Sequence, residues 1–292
     1  MKNYILRGVA ANKSIRVFLG ITTNLVEEAR KIHHTTPVAT AALGRTLTGT
    51  VMMGLMLKGD KNKLSIQIKG DGPLKQILAV SDSKGNVKGY VSNPNVELPL
   101  REDKKLDVGR AVGKGKMIVI KDLGLKDPYI GQSDLVSGEI AEDFTAYFAY
   151  SEQQPSAVGL GVLVDRDYSV KEAGGFIIQV LPDASDDVIL KLEKRINELP
   201  SVTKLMEETQ DGEEMLKRIL EGFDLEILDK QEVFLNCDCS EEKLERALIS
   251  IGEKDLKQII EEDGQAELTC HFCNRKYHFN KEHLQKLYEE AQ

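Results

Sequence analysis

Cys237-Asp-Cys239 and, after thirty intervening residues, Cys270-His-Phe-Cys273 are the stretches on which the reading of this chain turns. All four cysteines of the 292 residues lie there, and the preceding 236 residues contain none. Four thiolates are the number that closes a tetrahedral structural zinc site. A Cys-x-x-Cys knuckle turns two sulfurs toward one ion. A Cys-x-Cys pair on extended backbone places its sulfurs on one side, because strand side chains repeat every two residues. In a cytosolic chain such pairs point to a metal or redox site before a disulfide framework. Residues 231–292 are therefore expected to form a small zinc-binding domain holding one Zn2+ through Cys237, Cys239, Cys270 and Cys273. Between the pairs, Ser240 caps a helix Glu241–Ile251, and Leu256, Ile259 and Ile260 mark a second helix stopped by Gly264. His271, His278 and His283 are competing ligands in principle, but the four cysteines already fill the coordination shell. Metal binding becomes folding free energy in such modules, on the order of 10 kcal/mol, so losing the ion should unfold this one.

Upstream, residues 183–230 switch to helical spacing. Ile189, Leu192, Ile196 and Leu199 fall on one face, and Met215, Leu216, Ile219 and Leu220 on another after Pro200. Of these 48 residues 21 are charged, so the stripes are thin and the helices marginal unless something covers them. This reads as a helical connector whose order depends on its neighbours. Residues 1–182 read as an α+β body. Strand-like segments 4–22 precede two helices, one over Asn24–His33 capped by Thr23 and one opened by Thr36-Pro37 and running to about Lys58, rich in closely packing Ala, Gly and Thr. Strands at Leu64–Lys69, Gln76–Val80, Val87–Val91 and Met117–Ile120 form a meander. A helix at Ile140–Tyr150 and strands from Ala157 and Gly175 complete the body.

Charge is uneven along the chain. The net −8 resolves into +5 over residues 1–182, −7 over 183–230 and −6 over 231–292, a mildly basic body and an acidic tail that either dock on one another or leave the tail simply well solvated. Nucleic-acid binding through the tail is disfavoured, because phosphate neutralisation needs clustered Lys and Arg. The first twenty residues include Lys2, Arg7, Lys13 and Arg16 and no apolar run of signal-peptide length, and the Val51–Leu57 stretch is too short to span a bilayer. A cytoplasmic protein with no membrane span is expected. Gly8-Val-Ala-Ala-Asn-Lys13-Ser14 lacks the glycine before its lysine, and Gly113-Lys-Gly115 lacks the third glycine of a dinucleotide loop. His33-His34 reads as a helix end and Asp165/Asp167 as a solvated loop. No enzymatic active site is expected.

A disulfide between Cys237 and Cys239 would join Cα atoms about 6.6 Å apart in a strand, near the upper limit of acceptable geometry. Such a bond would be strained and readily reduced, which suits a reversible thiol switch. Spacing alone favours the plainer alternative, a constitutive zinc module used for docking. A thiol-disulfide oxidoreductase using Cys270-His-Phe-Cys273 fits less well, since the motif follows a strand and does not open a helix.

The cysteine pattern, with Tyr277-His-Phe279, resembles the carboxyl-terminal module of the bacterial redox-regulated chaperonin family, heat-shock protein 33. The likeness extends through Leu6-Arg-Gly-Val9, Thr36-Pro-Val-Ala-Thr-Ala-Ala-Leu-Gly-Arg45, Ile68-Lys-Gly-Asp-Gly-Pro73, Gly89-Tyr-Val-Ser-Asn-Pro94, Glu142-Asp-Phe-Thr-Ala-Tyr-Phe148 and Ser151-Glu-Gln153. The resemblance implies an ATP-independent holdase, inactive when reduced and zinc-bound, that prevents aggregation of unfolding client proteins. It further implies that the four cysteines are both zinc ligands and redox thiols. The resemblance also implies that on oxidation Cys237–Cys239 and Cys270–Cys273 disulfides form, zinc is released, the connector unfolds and protomers pair as a homodimer. Ile189, Leu192, Ile196 and Leu199 are then expected to belong to the face that docks the connector on the substrate-binding body in the off state.

Overall fold

Alternation along the first hairpin sends Ile5 and Phe18 to one side and Tyr4, Leu6, Val17 and Leu19 to the other, so both faces of its sheet are apolar. The computed structural model describes residues 2–209 and 211–290 and divides into two compact units, Met1–Asn236 and Cys237–Gln292. In the first unit the strands Tyr4–Ala10 and Ile15–Ile21 continue into Val170–Val180 and then Ser156–Val164, all antiparallel. On the other side Tyr4–Ala10 pairs with Glu226–Glu232, which forms that edge of a five-stranded sheet.

The expected meander forms a second sheet. Asn86–Val91, Gln76–Asp82, Lys63–Gly70, Gly115–Asp122 and Tyr129–Asp134 lie side by side as antiparallel neighbours, and Phe234–Leu235 adds in parallel beside Asn86–Val91. The helix Pro37–Gly54 packs on strands of both sheets and is buried along nearly its whole length. Its small residues follow from that position: a Cβ on Gly44 would lie 2.5 Å from Val26 and 2.9 Å from Val162. Thr46, Thr48 and Thr50 satisfy their buried hydroxyls by donating to carbonyls one turn back at 2.7–2.8 Å. The helix ends at Gly54, not near Lys58, because Met56 and Leu57 close tighter turns onto Met53 and Gly54. Thr23 is not the cap of the helix Thr23–His33; its hydroxyl bonds the backbone of Ala173.

The connector covers the second face of the first sheet. Three helices, Asp186–Asn197, Val202–Glu208 and Gly212–Ile219, bring Leu192, Val202, Leu205, Met206, Met215, Leu216 and Ile219 into one buried cluster with Tyr4, Leu6, Leu19, Phe176 and Ile178. Helix Val202–Glu208 sits against a glycine floor: a Cβ on Gly161 would lie 2.9 Å from Thr203 and 3.0 Å from Val202. Arg195 donates to the carbonyls of Ile219 and Arg218, closing the C-terminus of the third helix from the first. Ion pairs Lys171–Glu207, Arg7–Asp229 and Lys2–Glu232 join the basic body to this acidic stretch; each is exposed and individually weak.

The α+β class expected from the sequence is the observed one. The connector, read as helical, ends in the strand Glu226–Glu232, which its ladder with Tyr4–Ala10 holds although its own side chains are mostly exposed. For the same reason the first unit runs to Asn236, whereas the reading placed a boundary at 230/231, and residues 183–230 are packed within that unit.

Candidate metal centre

The second unit has a small core: Leu248, Leu256, Ile260, Phe279, Leu284 and Leu287. These come from helices Glu241–Ser250, Glu253–Glu262 and Lys281–Glu290 and from the hairpin Gln265–Thr269/Lys276–Asn280. Domains this small commonly need a metal or disulfides as well as a core. Gly264, at φ +64°, takes the chain out of the second helix into the hairpin.

Cys270 and Cys273 occupy the hairpin tip. Cys270 N–H donates to the Arg275 carbonyl at 2.9 Å, and Cys273 and Asn274 N–H return to the Cys270 carbonyl at 3.3 and 2.8 Å. Asn274 takes the left-handed conformation that closes the turn. The other pair precedes helix Glu241–Ser250, whose first turn is capped by the Ser240 hydroxyl accepting from Lys243 N–H at 3.4 Å, as the sequence indicates. Lys243 also bridges to the Asp238 carbonyl and carboxylate at 2.6 Å, holding the Cys-Asp-Cys segment against the helix.

All four sulfurs lie within 4.8 Å of one another, and none is in a disulfide. Cys237 and Cys270 are 3.7 Å apart, Cys239 and Cys273 3.4 Å. Sulfurs around one tetrahedral zinc at 2.3 Å stand about 3.8 Å apart, so the donor set fits that ion in number, type and spacing. As thiols the four are unequal. Burial raises the proton affinity of Cys237 and of Cys273. At Cys239 burial acts in the same direction but is outweighed by hydrogen bonds, foremost from the Tyr277 hydroxyl at 3.2 Å, which bring it down to about 7. Among the described residues this ligand cluster includes no histidine. His278 faces Glu267 at 3.3 Å, and His283 lies 2.7 Å from Glu245 and 3.8 Å from Glu241. No local sequence pattern points to the Glu241/Glu245/His283 group. Only the i,i+4 carboxylates were visible in advance; the histidine comes from another helix.

Of the proposed docking residues, Leu192 is fully buried in the connector's cluster and Ile196 and Leu199 pack at its margin, joined by Val188. Ile189 is half-buried and lies outside it. The deepest connector contacts come from Leu205, Met215, Leu216 and Ile219, all with no exposed surface. Ser201 followed by Val202, Leu205 and Met206 carried the signal for the middle helix, which the reading passed over.

Other sequence motifs resolve into structure. Asp143 is buried, with its carboxylate accepting from Val136, Ser137, Gly138 and Ile140 N–H at 2.8–3.3 Å, and so fixes the entry to helix Ala141–Tyr150. Arg45 pairs with Glu139 at 2.8 Å beside it. Asp167 accepts from Ser169 in an exposed loop, and His34 is the left-handed cap of the first helix.

A family model described as Hsp33 protein matches residues 3–280. The 33 kDa chaperonin of Alkaliphilus metalliredigens is 57% identical over 291 residues, covering 99% of this chain and 100% of that protein. That of Clostridioides difficile is 53% identical over 291 residues with the same coverage. The crystal structure of the 33 kDa chaperonin, a heat shock protein 33 homolog, from Thermotoga maritima superimposes with a TM-score of 0.91 at 39% identity over 99% of each chain. With cysteine cluster, body and connector all within these matches, the chain belongs to the Hsp33 family of chaperonins.

Proposed function

We propose that this protein is a redox-regulated, ATP-independent holdase that binds unfolding client proteins and keeps them from aggregating. The observation that carries the reading is the gathering of four unbonded sulfurs, 3.4 and 3.7 Å apart in cross-pairs, on a unit with little core of its own. In the reduced, inactive state Cys237, Cys239, Cys270 and Cys273 hold one zinc ion, which supplies a cross-link between the Cys-Asp-Cys segment and the hairpin tip. Oxidation removes every donor at once. Four thiolates give up four electrons to form the Cys237–Cys239 and Cys270–Cys273 disulfides, while two peroxides take up those electrons and four protons and leave as four waters.

With the cross-link gone, the small unit loses its fold and zinc is released. Phe234–Leu235 pairs in the sheet only just before Cys237, so disorder travels along the chain toward Glu226–Glu232 and the connector. Release of the connector bares the apolar face built by Leu6, Leu19, Phe176 and Ile178, onto which Leu192, Ile196 and Leu199 dock with the deeper Met215, Leu216 and Ile219. Ile189 belongs to the same helix at the border of that face. Oxidised protomers pair as a homodimer in the cytoplasm; neither nucleic acid nor membrane is a partner, and no turnover chemistry is involved.

Disulfide mapping after peroxide treatment at an unfolding temperature tests this. Bonds within the two sequence pairs are expected, although in the reduced fold each sulfur also has a cross-pair neighbour at 3.4 or 3.7 Å. Cross-paired bonds, or four free thiols in protein that has gained activity, would refute it.

A further inference from the structure

The sheets of the first unit have four edges, and three are protected in the ways soluble proteins use. Glu226–Glu232 is lined with Glu226, Asp229, Lys230 and Glu232. Ser156–Val164 is packed by helices Ala141–Tyr150 and Val202–Glu208. Phe234–Leu235 is two residues long. The fourth edge, Tyr129–Asp134, has helix Ala141–Tyr150 against its core face only, and its outer face is bare. It is a full strand with Ile130 62% exposed, and its flanks add Leu125 at 71% and Val136 at 57%.

The register fixes what this edge offers. Leu135 N–H donates to the Gly115 carbonyl at 2.9 Å, so in the antiparallel ladder Tyr129, Gly131 and Ser133 bond inward to Gly115–Asp122. The backbone N–H and C=O groups of Ile130, Gln132 and Asp134 therefore point away from the sheet. Their side chains stand on the face opposite the core, where Ile130 lies beside Ile120 and Gln132 beside Ile118.

We infer that Tyr129–Asp134 is a docking edge for unfolded clients, which add to the sheet as an extended antiparallel or parallel strand through Ile130, Gln132 and Asp134. The occupant follows from the chemistry: an unfolded segment supplies free backbone donors and acceptors and apolar side chains, and this edge presents the complement of both. A packed globular partner brings them only where it has a bare strand edge of its own, whereas an unfolded chain offers them along its whole length. The inference rests on the client-binding reading above and adds to it a site that the connector does not cover, since the connector packs on the other sheet. The connector therefore does not mask this edge in the reduced protein. The edge gives clients a weak first contact to which the oxidation-exposed face adds a second, with the gain in avidity that two linked contacts bring.

The test is amide hydrogen exchange on reduced and on oxidised full-length protein, with and without a carboxymethylated, permanently unfolded protein as client. The amides of Ile130, Gln132 and Asp134 should exchange freely alone and become protected in the complex, in both redox forms, at higher client concentration in the reduced one. Gln132→Pro removes an N–H that the sheet itself does not use, so it should fold normally, keep its zinc and bind client about tenfold more weakly. Client bound with these three amides still exchanging freely overturns the inference and leaves the proposed function standing, whether or not Gln132→Pro folds. If oxidised wild type neither holds the client nor suppresses aggregation, the proposed function falls first and takes this site with it.

Discussion

The Tyr277 hydroxyl donates to Cys239 at 3.2 Å, and that bond sets apart one sulfur of the four. Outer hydrogen bonds of this kind orient a ligand and tune its hold on a metal. Tyr277→Phe should lower zinc affinity about tenfold while leaving the cysteine count intact, as read by competition with a chelator. A second residue-scale expectation concerns acid. Glu27 accepts from Arg30 at 2.7 and 2.8 Å and from Val170 N–H at 3.0 Å, and the Arg30 guanidinium foremost holds its carboxyl down to about 2. A carboxyl depressed on folding contributes stability that is complete above its ordinary range and is lost as pH falls through its folded value. Glu27→Gln should therefore lower stability near neutrality and flatten its decline between pH ~4.5 and ~2, as read by denaturant melts across that window; parallel curves for the two proteins would contradict this. At this scale the cysteines were legible because their spacing is itself the chemistry. Glu245 and His283 were not, because they meet across two helices and no local pattern joins them.

Helix Val202–Glu208 and its glycine floor offer the sharpest test of masking. Gly161→Val would drive a side chain into Val202 and Thr203, atoms that belong to the connector, so it should lift that helix and leave the deeper core intact. Client binding without oxidant is the expected outcome, read as aggregation suppression by fully reduced, zinc-loaded protein; a folded but inactive variant would argue against a masking connector. Leu192→Asp should act in the same direction, since replacing a buried leucine costs about 2–5 kcal/mol before the added charge is counted. The first and third connector helices were legible from their 3.6-residue periodicity, whereas Val202–Glu208, only two turns long, was not. Glu226–Glu232 and Tyr129–Asp134 were not, because edge strands are held by a neighbour's ladder and carry little apolar alternation of their own.

Whole-molecule behaviour depends on two compact units of unequal means: a body with an extensive core, and a cysteine unit with six buried core side chains among the described residues. The class of the fold and the body-to-tail order could be read from patterning and from where the cysteines lie. The join at Asn236/Cys237 could not, since it depends on Glu226–Glu232 returning to pair with Tyr4–Ala10 from the other end of the body. Stripping zinc from reduced protein with a chelator should melt the cysteine unit while most of the body's helix and sheet signal persists, a loss that circular dichroism can follow. The most direct test of the redox switch measures zinc content and suppression of client aggregation on one preparation, before peroxide at elevated temperature, after it, and again after thiol reductant with zinc restored. Zinc leaving as anti-aggregation activity appears, and both reversing together, is the predicted result. Zinc retained with activity unchanged would contradict the switch and leave a constitutive structural centre in an Hsp33-family chaperonin.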